Sequence, residues 1–386
     1  MAGYRAANRR RRCHNGAMHD PTLLASLATL ESLIDRHAEE GRRDARLPRP
    51  IVDALVERGL YRLWIPRRFD GLEMPLPEGL RIIEALSKLD GAVGWAVMIG
   101  AGGGLFAAYL PPEIAQRLFR PRDALVAGSG AVRGTAERVE GGYRCSGRWR
   151  YASGAHQATV FTANCQVVEN GEILHVNGKP WVRAMAFHPS QVAVIETWDT
   201  TGLRATGSHD IVVQDAFVPA SDTFSVLTDA PREAGALYRL PFGTMTELPI
   251  SAVVLGLARQ TLLRFEQLIA DKPSPFGGGP LAAHPRVASA ISAARRDIDT
   301  ASATLYGLAD EAWRTATRES PLDQAVIQRC TTDCARLVAE LLARIGRLVP
   351  LAGMNALQRE DPFSIAWQDL SAAAAHYSVS PLLIAD

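Results

Sequence analysis

Trp198-Asp199-Thr200-Thr201-Gly202-Leu203-Arg204-Ala205-Thr206-Gly207-Ser208-His209-Asp210 runs directly into Ile211-Val212-Val213-Gln214-Asp215-Ala216-Phe217 and stops at Val218-Pro219. The first half is loop chemistry, with glycines and short polar side chains. The second half, Ile211 to Phe217, is a β-branched run that ends at a proline and reads as a strand. Upstream, Val192 to Thr197, Trp181 to Phe187 and Val160 to Val168 read the same way. Gly141-Gly142 separates Ala136–Val139 from Tyr143–Ser146 as a hairpin would. Together these segments predict a compact β-barrel or sandwich, placed at residues 126–230.

Outside this module the apolar period changes. Leu23, Leu24, Leu27, Leu30, Leu33 and Ile34 repeat at three and four, as do Ile51, Val52, Leu55 and Val56. Leu80 to Leu89 keeps helical spacing until Asp90-Gly91, and Trp95 to Tyr109 is an apolar, glycine-rich helix. This predicts an N-terminal helical domain over residues 20–125. Helical spacing returns near Pro249 and is interrupted at Pro273–Pro280, at Pro321 and at Pro350–Gly353. A C-terminal four-helix bundle over residues 231–386 follows. The predicted class is α+β, with a β-module between two helical ones. Residues 1–19, with Arg9–Arg12, have no apolar period and read as a disordered or mis-assigned start.

Composition excludes several functions. At 386 residues, 47% hydrophobic and 22% charged, the chain can build several cores and is not a disordered sequence. A net charge of +1 argues against a nucleic-acid surface, which needs concentrated lysine and arginine. Small-molecule chemistry is expected instead. The five cysteines, Cys13, Cys145, Cys165, Cys330 and Cys334, form no CxxC pair and no zinc pattern. Cys330 and Cys334 read as small buried thiols in a helix, and no metal site is expected. No apolar run is read as reaching the ~20 residues that span a bilayer, and the start has no signal-peptide core. A cytoplasmic protein without membrane contact is therefore expected.

Over Pro21 to Ser380 the motifs resemble those of the acyl-CoA dehydrogenase superfamily. Gly59-Leu60, Pro66 and Phe69-Asp70-Gly71 are similar to the family's early turn, and Asp90 to Trp95 to the start of its helix beside the active site. Gly141-Gly142-Tyr143, Gly147-Arg148-Trp149, Ala152-Ser153-Gly154 and the Trp198–Asp210 stretch resemble its flavin-side strands and loops. Ala-Ser-Gly after Trp149 and Thr-Gly-Ser-His-Asp before the last strand are most similar to the two-component flavin monooxygenase branch, with its hydroxylases and nitrogen-oxidising sugar enzymes.

The resemblance implies FAD or FMN, supplied reduced by a separate flavin reductase. It places Tyr151, Ser153 and Gly154 along the flavin ring, with Ser153 near N5, and Ser129 of Gly128-Ser129-Gly130 along the ring's other edge. Arg286, at the start of a bundle helix, is implied to meet a neighbouring subunit's flavin phosphate, where a helix N-terminus also favours an anion. Trp95, Gly103 and Tyr377 are implied to line the substrate pocket.

The C-terminal segment bears on the reaction. Acyl-CoA dehydrogenases remove a proton with a positioned glutamate, but after Asp369 this chain has no acid until Asp386. His376 or Tyr377 stands at the corresponding place. His376 is therefore the catalytic candidate, able to hold a substrate phenol or amine and to transfer a proton near neutrality. Gly100 to Gly104 lacks the polar residue relatives often have, and Gln368 stands where an arginine usually precedes the aspartate. His209 follows Gly207-Ser208 in a motif that relatives use structurally.

The expected function is a monooxygenase acting on a small aromatic or amino-bearing substrate. One alternative is an acyl-CoA dehydrogenase whose base has moved to Glu247, and another is a non-catalytic scaffold of the same fold. A homotetramer built through the bundle is implied.

Overall fold

A computed structural model describes residues 21–275, 277, 279–318 and 322–384. The expectation for residues 1–19 lies outside the described residues. Helices α1 (Pro21–Ser26), α2 (Glu31–Asp44), α3 (Arg49–Glu57), α4 (Leu76–Leu89), α5 (Gly91–Gly104) and α6 (Pro112–Phe119) come first. Prolines at the first turns of α3, α4 and α6 stand where a missing N–H costs nothing. The Asp90 side chain caps α5 by accepting from Val93 N at 2.9 Å. That helix is apolar on every face, so it can only run through the core, and Val93, Val97 and Ala101 are fully enclosed.

The central strands are β1 (Val126–Val139), β2 (Gly142–Ala152), β3 (Val160–Glu169), β4 (Glu172–Ile173), β5 (His175–Val176), β6 (Lys179–Pro180), β7 (Val182–Phe187), β8 (Ala193–Ile195), β9 (His209–Pro219) and β10 (Thr223–Phe224). Eight of them form one sheet in the order β10-β7-β3-β1-β2-β9-β8, with β4 beside β3, while β5 and β6 pair separately. All pairs are antiparallel except β1 with β3. The sheet's own core holds Trp149, Phe187, Ile211 and Val213. Trp149 is fully buried and donates Nε1–H to Asn164 O at 3.0 Å, which settles the one polar atom its burial would otherwise strand.

The C-terminal bundle consists of α7 (Thr244–Ile269), α8 (Pro285–Thr317), α9 (Gln324–Ile345) and α11 (Pro362–Ala374), with the short α10 (Val349–Ala352) between the last two. Glu84 of α4 joins the halves, accepting from Arg259 of α7 and from the Tyr306 hydroxyl of α8. One expectation needs correction. The segments Gly91–Ala108 and Thr244–Ile269, of 18 and 26 residues, are long and apolar enough to cross a membrane. Each lies 83% buried within the protein, so their hydropathy is that of core helices packed on all sides.

Candidate active site

The site forms where α5, the end of β2, the loop before β9 and the turn after α11 meet. Trp95 lies on the first turns of α5 and directs its indole away from the helix, so that Nε1–H donates to Ser153 Oγ at 3.1 Å. Ser153 follows a bulge in β2, where pairing with β9 shifts register between Trp149 and Ala152. Tyr151 sits in that bulge with φ 69°, a backbone region that side chains with a Cβ rarely adopt. The bulge turns its ring outward, 64% exposed, with its centre 6.1 Å from that of the Trp198 ring in an edge-on arrangement. Gly154, at φ 76°, completes the turn, and its N–H is held by Thr206 O at 2.9 Å.

From Ser153 a run of hydroxyls leads inward. Ser153 Oγ lies 2.7 Å from Ser208 Oγ, which lies 2.7 Å from Thr206 Oγ1, and Thr206 donates to Leu203 O at 2.8 Å. Gly207, between the two hydroxyl residues, has φ 54°, and a Cβ there would stand 2.7 Å from Ala45 O. Leu203 is itself left-handed at φ 52° and is anchored by donating N–H to Asp369 Oδ1 of α11 at 2.6 Å. Gly202 makes that approach possible, since a Cβ on it would meet Gln368 O at 2.0 Å. Asp369 is held high, at about 7, first by burial and then by the nearby Asp90 carboxylate.

α11 ends at Ala374, and His376, seven residues after Asp369, enters the site. Its ring meets Trp95 edge-on at 5.7 Å and lies 4.7 Å from the Tyr377 ring. Burial pushes the imidazole down to about 4, so it is neutral at neutral pH. Nδ1 accepts from Ser378 N at 3.3 Å, which leaves the ring's one proton on Nε2. This corrects the expectation of a histidine poised near neutrality. The apolar packing of Trp95 and the turn against it makes His376 a fixed hydrogen-bond donor.

Other expected positions fall variously. Tyr377 is 72% exposed, and its hydroxyl lies 3.9 Å from where a Cβ on Gly130 would stand. Ser129 is half-buried, accepts weakly from Ala131 N at 3.4 Å, and sits where β1 loses register with β3. Gly103 does not face the site, because a Cβ on it would strike Val126 at 2.5 Å, so it is a packing glycine. Gly102 has nothing within 4 Å and lies two turns from Trp95 on the same face of α5. Arg286 is exposed at the start of α8, where its backbone N–H is capped by His284 Nδ1 at 3.2 Å.

Two other groups were open to a chemical role. Glu247 is buried and its carboxyl is pushed up by that burial, but it accepts from Thr331 of α9 at 2.8 Å instead of turning to Trp95 or His376. His156, Glu196 and His209 bring ligand atoms within 4.8 Å of one another. His209 Nδ1 accepts from both Thr197 N and Trp198 N at 3.1 Å, so its proton is on Nε2, 3.2 Å from Glu196. A metal-binding nitrogen needs the opposite tautomer, so the trio is a latch that fastens the loop before β9. The sequence reading missed the chain through Thr206 and Ser208 and the anchor at Asp369. Its only trace was the Thr-Gly-Ser spacing, two hydroxyls around a glycine.

Comparison with known proteins identifies the family. Residues 27–120 match the acyl-CoA dehydrogenase N-terminal domain and residues 248–381 the acyl-CoA dehydrogenase C-terminal domain. The indole-3-acetate monooxygenase of Pseudomonas putida is 31% identical over 362 residues, covering 92% of this chain and 90% of that protein. This chain belongs to the flavin-dependent monooxygenases of the acyl-CoA dehydrogenase superfamily. A second relative of this monooxygenase, the oxygenase subunit HsaA of Mycobacterium tuberculosis, is 26% identical over 93% of this chain and 92% of its own. In fold, the monooxygenase is similar to XiaF from Streptomyces sp., solved with FADH2 and glycerol, at a TM-score of 0.86 and 24% identity, covering 94% of this chain and 92% of that one.

Proposed function

We propose that the chain is the oxygenase component of a two-component system. It takes reduced FAD or FMN from a partner flavin reductase and hydroxylates a small aromatic or amino-bearing substrate. The observation that carries this reading is the convergence of Trp95, Ser153 and a neutral His376 without a carboxylate base among their contacts.

The residues suit a flavin. Tyr151 offers an exposed aromatic face, Ser153 Oγ has a lone pair left over after Trp95 donates to it, and Gly130 leaves open space where a side chain would intrude. Tyr151, Ser153, Gly154 and Ser129 would hold the ring, and Arg286 of a second copy its phosphate. When bound, the reduced flavin supplies the electrons that activate O2. The protein's own part is positional. Trp95 walls the site and excludes water, and His376 Nε2–H holds a substrate oxygen while Tyr377 covers the mouth. Relatives acting on indole-3-acetate and on resorcinol make electron-rich aromatics the first substrates to try.

Exposure of Tyr151 and Tyr377 supports completion of the site by neighbouring copies in a homotetramer, and a cytoplasmic location is part of the same reading. The test is to supply reduced FMN or FAD from an unrelated reductase, add ¹⁸O₂, and present indole-3-acetate, resorcinol and simple phenols. One labelled oxygen in an organic product is expected. Consumption of O2 to hydrogen peroxide alone across the whole panel, or bleaching of bound oxidised FAD by an acyl-CoA, would overturn the reading.

A further inference from the structure

One order of hydrogens satisfies every link of the hydroxyl run beneath the site. Its inner end is the Leu203 carbonyl, which can only accept, and its outer end is the Trp95 indole N–H, which can only donate. Leu203 O also accepts from Trp198 Nε1–H and from the Thr206 N–H, and its 2.8 Å approach to Thr206 Oγ1 sets two oxygens together, a contact that is attractive when Thr206 directs its single hydrogen there. Ser208, 2.7 Å from Thr206, must give its hydrogen to Thr206, and Ser153, 2.7 Å from Ser208, must give its own to Ser208. Four hydrogens serve four links, and none is left over. Ser153, Ser208 and Thr206 are all buried, so water cannot reset the order. The open side of Ser153 Oγ is consequently a lone pair.

We infer that this wired chain makes Ser153 an obligate hydrogen-bond acceptor toward the flavin and so selects the reduced, N5-protonated form over the oxidised form. This inference rests on the proposed placement of Ser153 beside the ring. Reduced flavin carries N–H at N5 and can donate to Ser153. Oxidised flavin presents a bare N5, and two acceptors then face each other in a buried place. The same wiring would favour capture of flavin from the reductase and release after reoxidation. Asp369 belongs to the device as a positioning residue, because it fixes Leu203, whose carbonyl sets the direction of the whole run.

Dissociation constants for reduced and for oxidised FMN and FAD, measured anaerobically by fluorescence, test this without turnover. The wild type is expected to bind the reduced form more tightly. Thr206→Val and Ser208→Ala each free a hydrogen upstream, let Ser153 turn and donate, and are expected to lower the oxidised-to-reduced ratio of constants about tenfold, which is about 30 mV in the bound two-electron potential. Thr206→Ser, which keeps the hydroxyl, should keep the wild-type ratio, and this separates wiring from simple loss of packing. Ratios unchanged in both Thr206→Val and Ser208→Ala, with flavin still bound and Ser153→Ala still weakening it, would overturn the wiring and leave the placement standing. If Ser153→Ala alters the binding of neither form, the placement itself is wrong.

Discussion

His209 and His376 make the same local bond and end in different circumstances. Each is a histidine next to a small-residue stretch, and each uses Nδ1 to accept main-chain N–H groups, leaving its proton on Nε2. His209 holds two such groups in a closed setting, with Nε2 against Glu196 and its ring 5.1 Å from that of His156. His376 holds one, longer bond, and its ring opens on Trp95 and Tyr377. Burial alone therefore does not mark a functional histidine. What separates the two is what the second nitrogen faces, the Glu196 carboxylate at 3.2 Å in His209 and the site beside Trp95 and Tyr377 in His376.

The largest expected effect breaks that comparison in two. His376→Ala should lower product formation by about 10²-fold, the range for a lost positioned hydrogen-bond donor, with the fold intact. Substitution His209→Ala takes the shared acceptor from the Thr197 and Trp198 N–H groups, which are only partly buried, at about 1 kcal/mol each, and should lower Tm while the folded fraction stays active. Turnover and thermal melts on both variants check the assignment, and equal activity losses at equal stability would erase the distinction.

A second, smaller effect is visible in pH. Between about 4 and 6.5 the unfolded state binds a proton at His376 that the native state refuses, so this contribution is complete above 6.5 and is lost as pH falls through 4. Asp369 behaves oppositely. The native state keeps a proton there up to about 7, so that contribution is present at acid pH and lost as pH rises through 7, with Asp90 and Arg42 the charged groups facing it. Asn at this position keeps the acceptor for Leu203 and cannot ionise. Asp369→Asn should therefore gain Tm relative to wild type as pH rises from 5 to 8, whereas His376→Gln should gain as pH falls from 7 to 4. Parallel Tm–pH curves for either variant and wild type would refute the corresponding shift.

Much of the architecture was legible because period and punctuation are local signals. The β-branched run at Ile211–Phe217 lies within β9, and the glycine pair at 141–142 marks the turn from β1 into the start of β2. The long leucine-rich stripes became α4, α7 and α9. The site was only half legible. Ser153, Trp95 and His376 do converge, but the bonds that orient them come from Thr206, Ser208 and Asp369, up to 166 residues apart in sequence as with Leu203 and Asp369. No local pattern announces such a bond. The same limit misled the reading of the helix glycines, since Gly102 and Gly103 are adjacent in sequence and only helix phase decides which faces the site.

Gly102 gives the mildest test of the comparison, because it asks what the open side of His376 is open to. A methyl there meets nothing within 4 Å and replaces the poorest ordinary helix former with the best. Gly102→Ala should be as stable as wild type or more stable by about 1 kcal/mol. By phase it stands above Trp95, so the added carbon should intrude on substrate and not on flavin. KM for a two-ring substrate such as indole-3-acetate should rise a few-fold, with little change for a single-ring phenol and none in flavin affinity. Gly103→Ala is the control, since its Cβ would meet Val126 at 2.5 Å and should destabilise the protein without changing substrate preference. If Gly102→Ala leaves the ratio of the two KM values unchanged, the space beside His376 is not where the substrate lies.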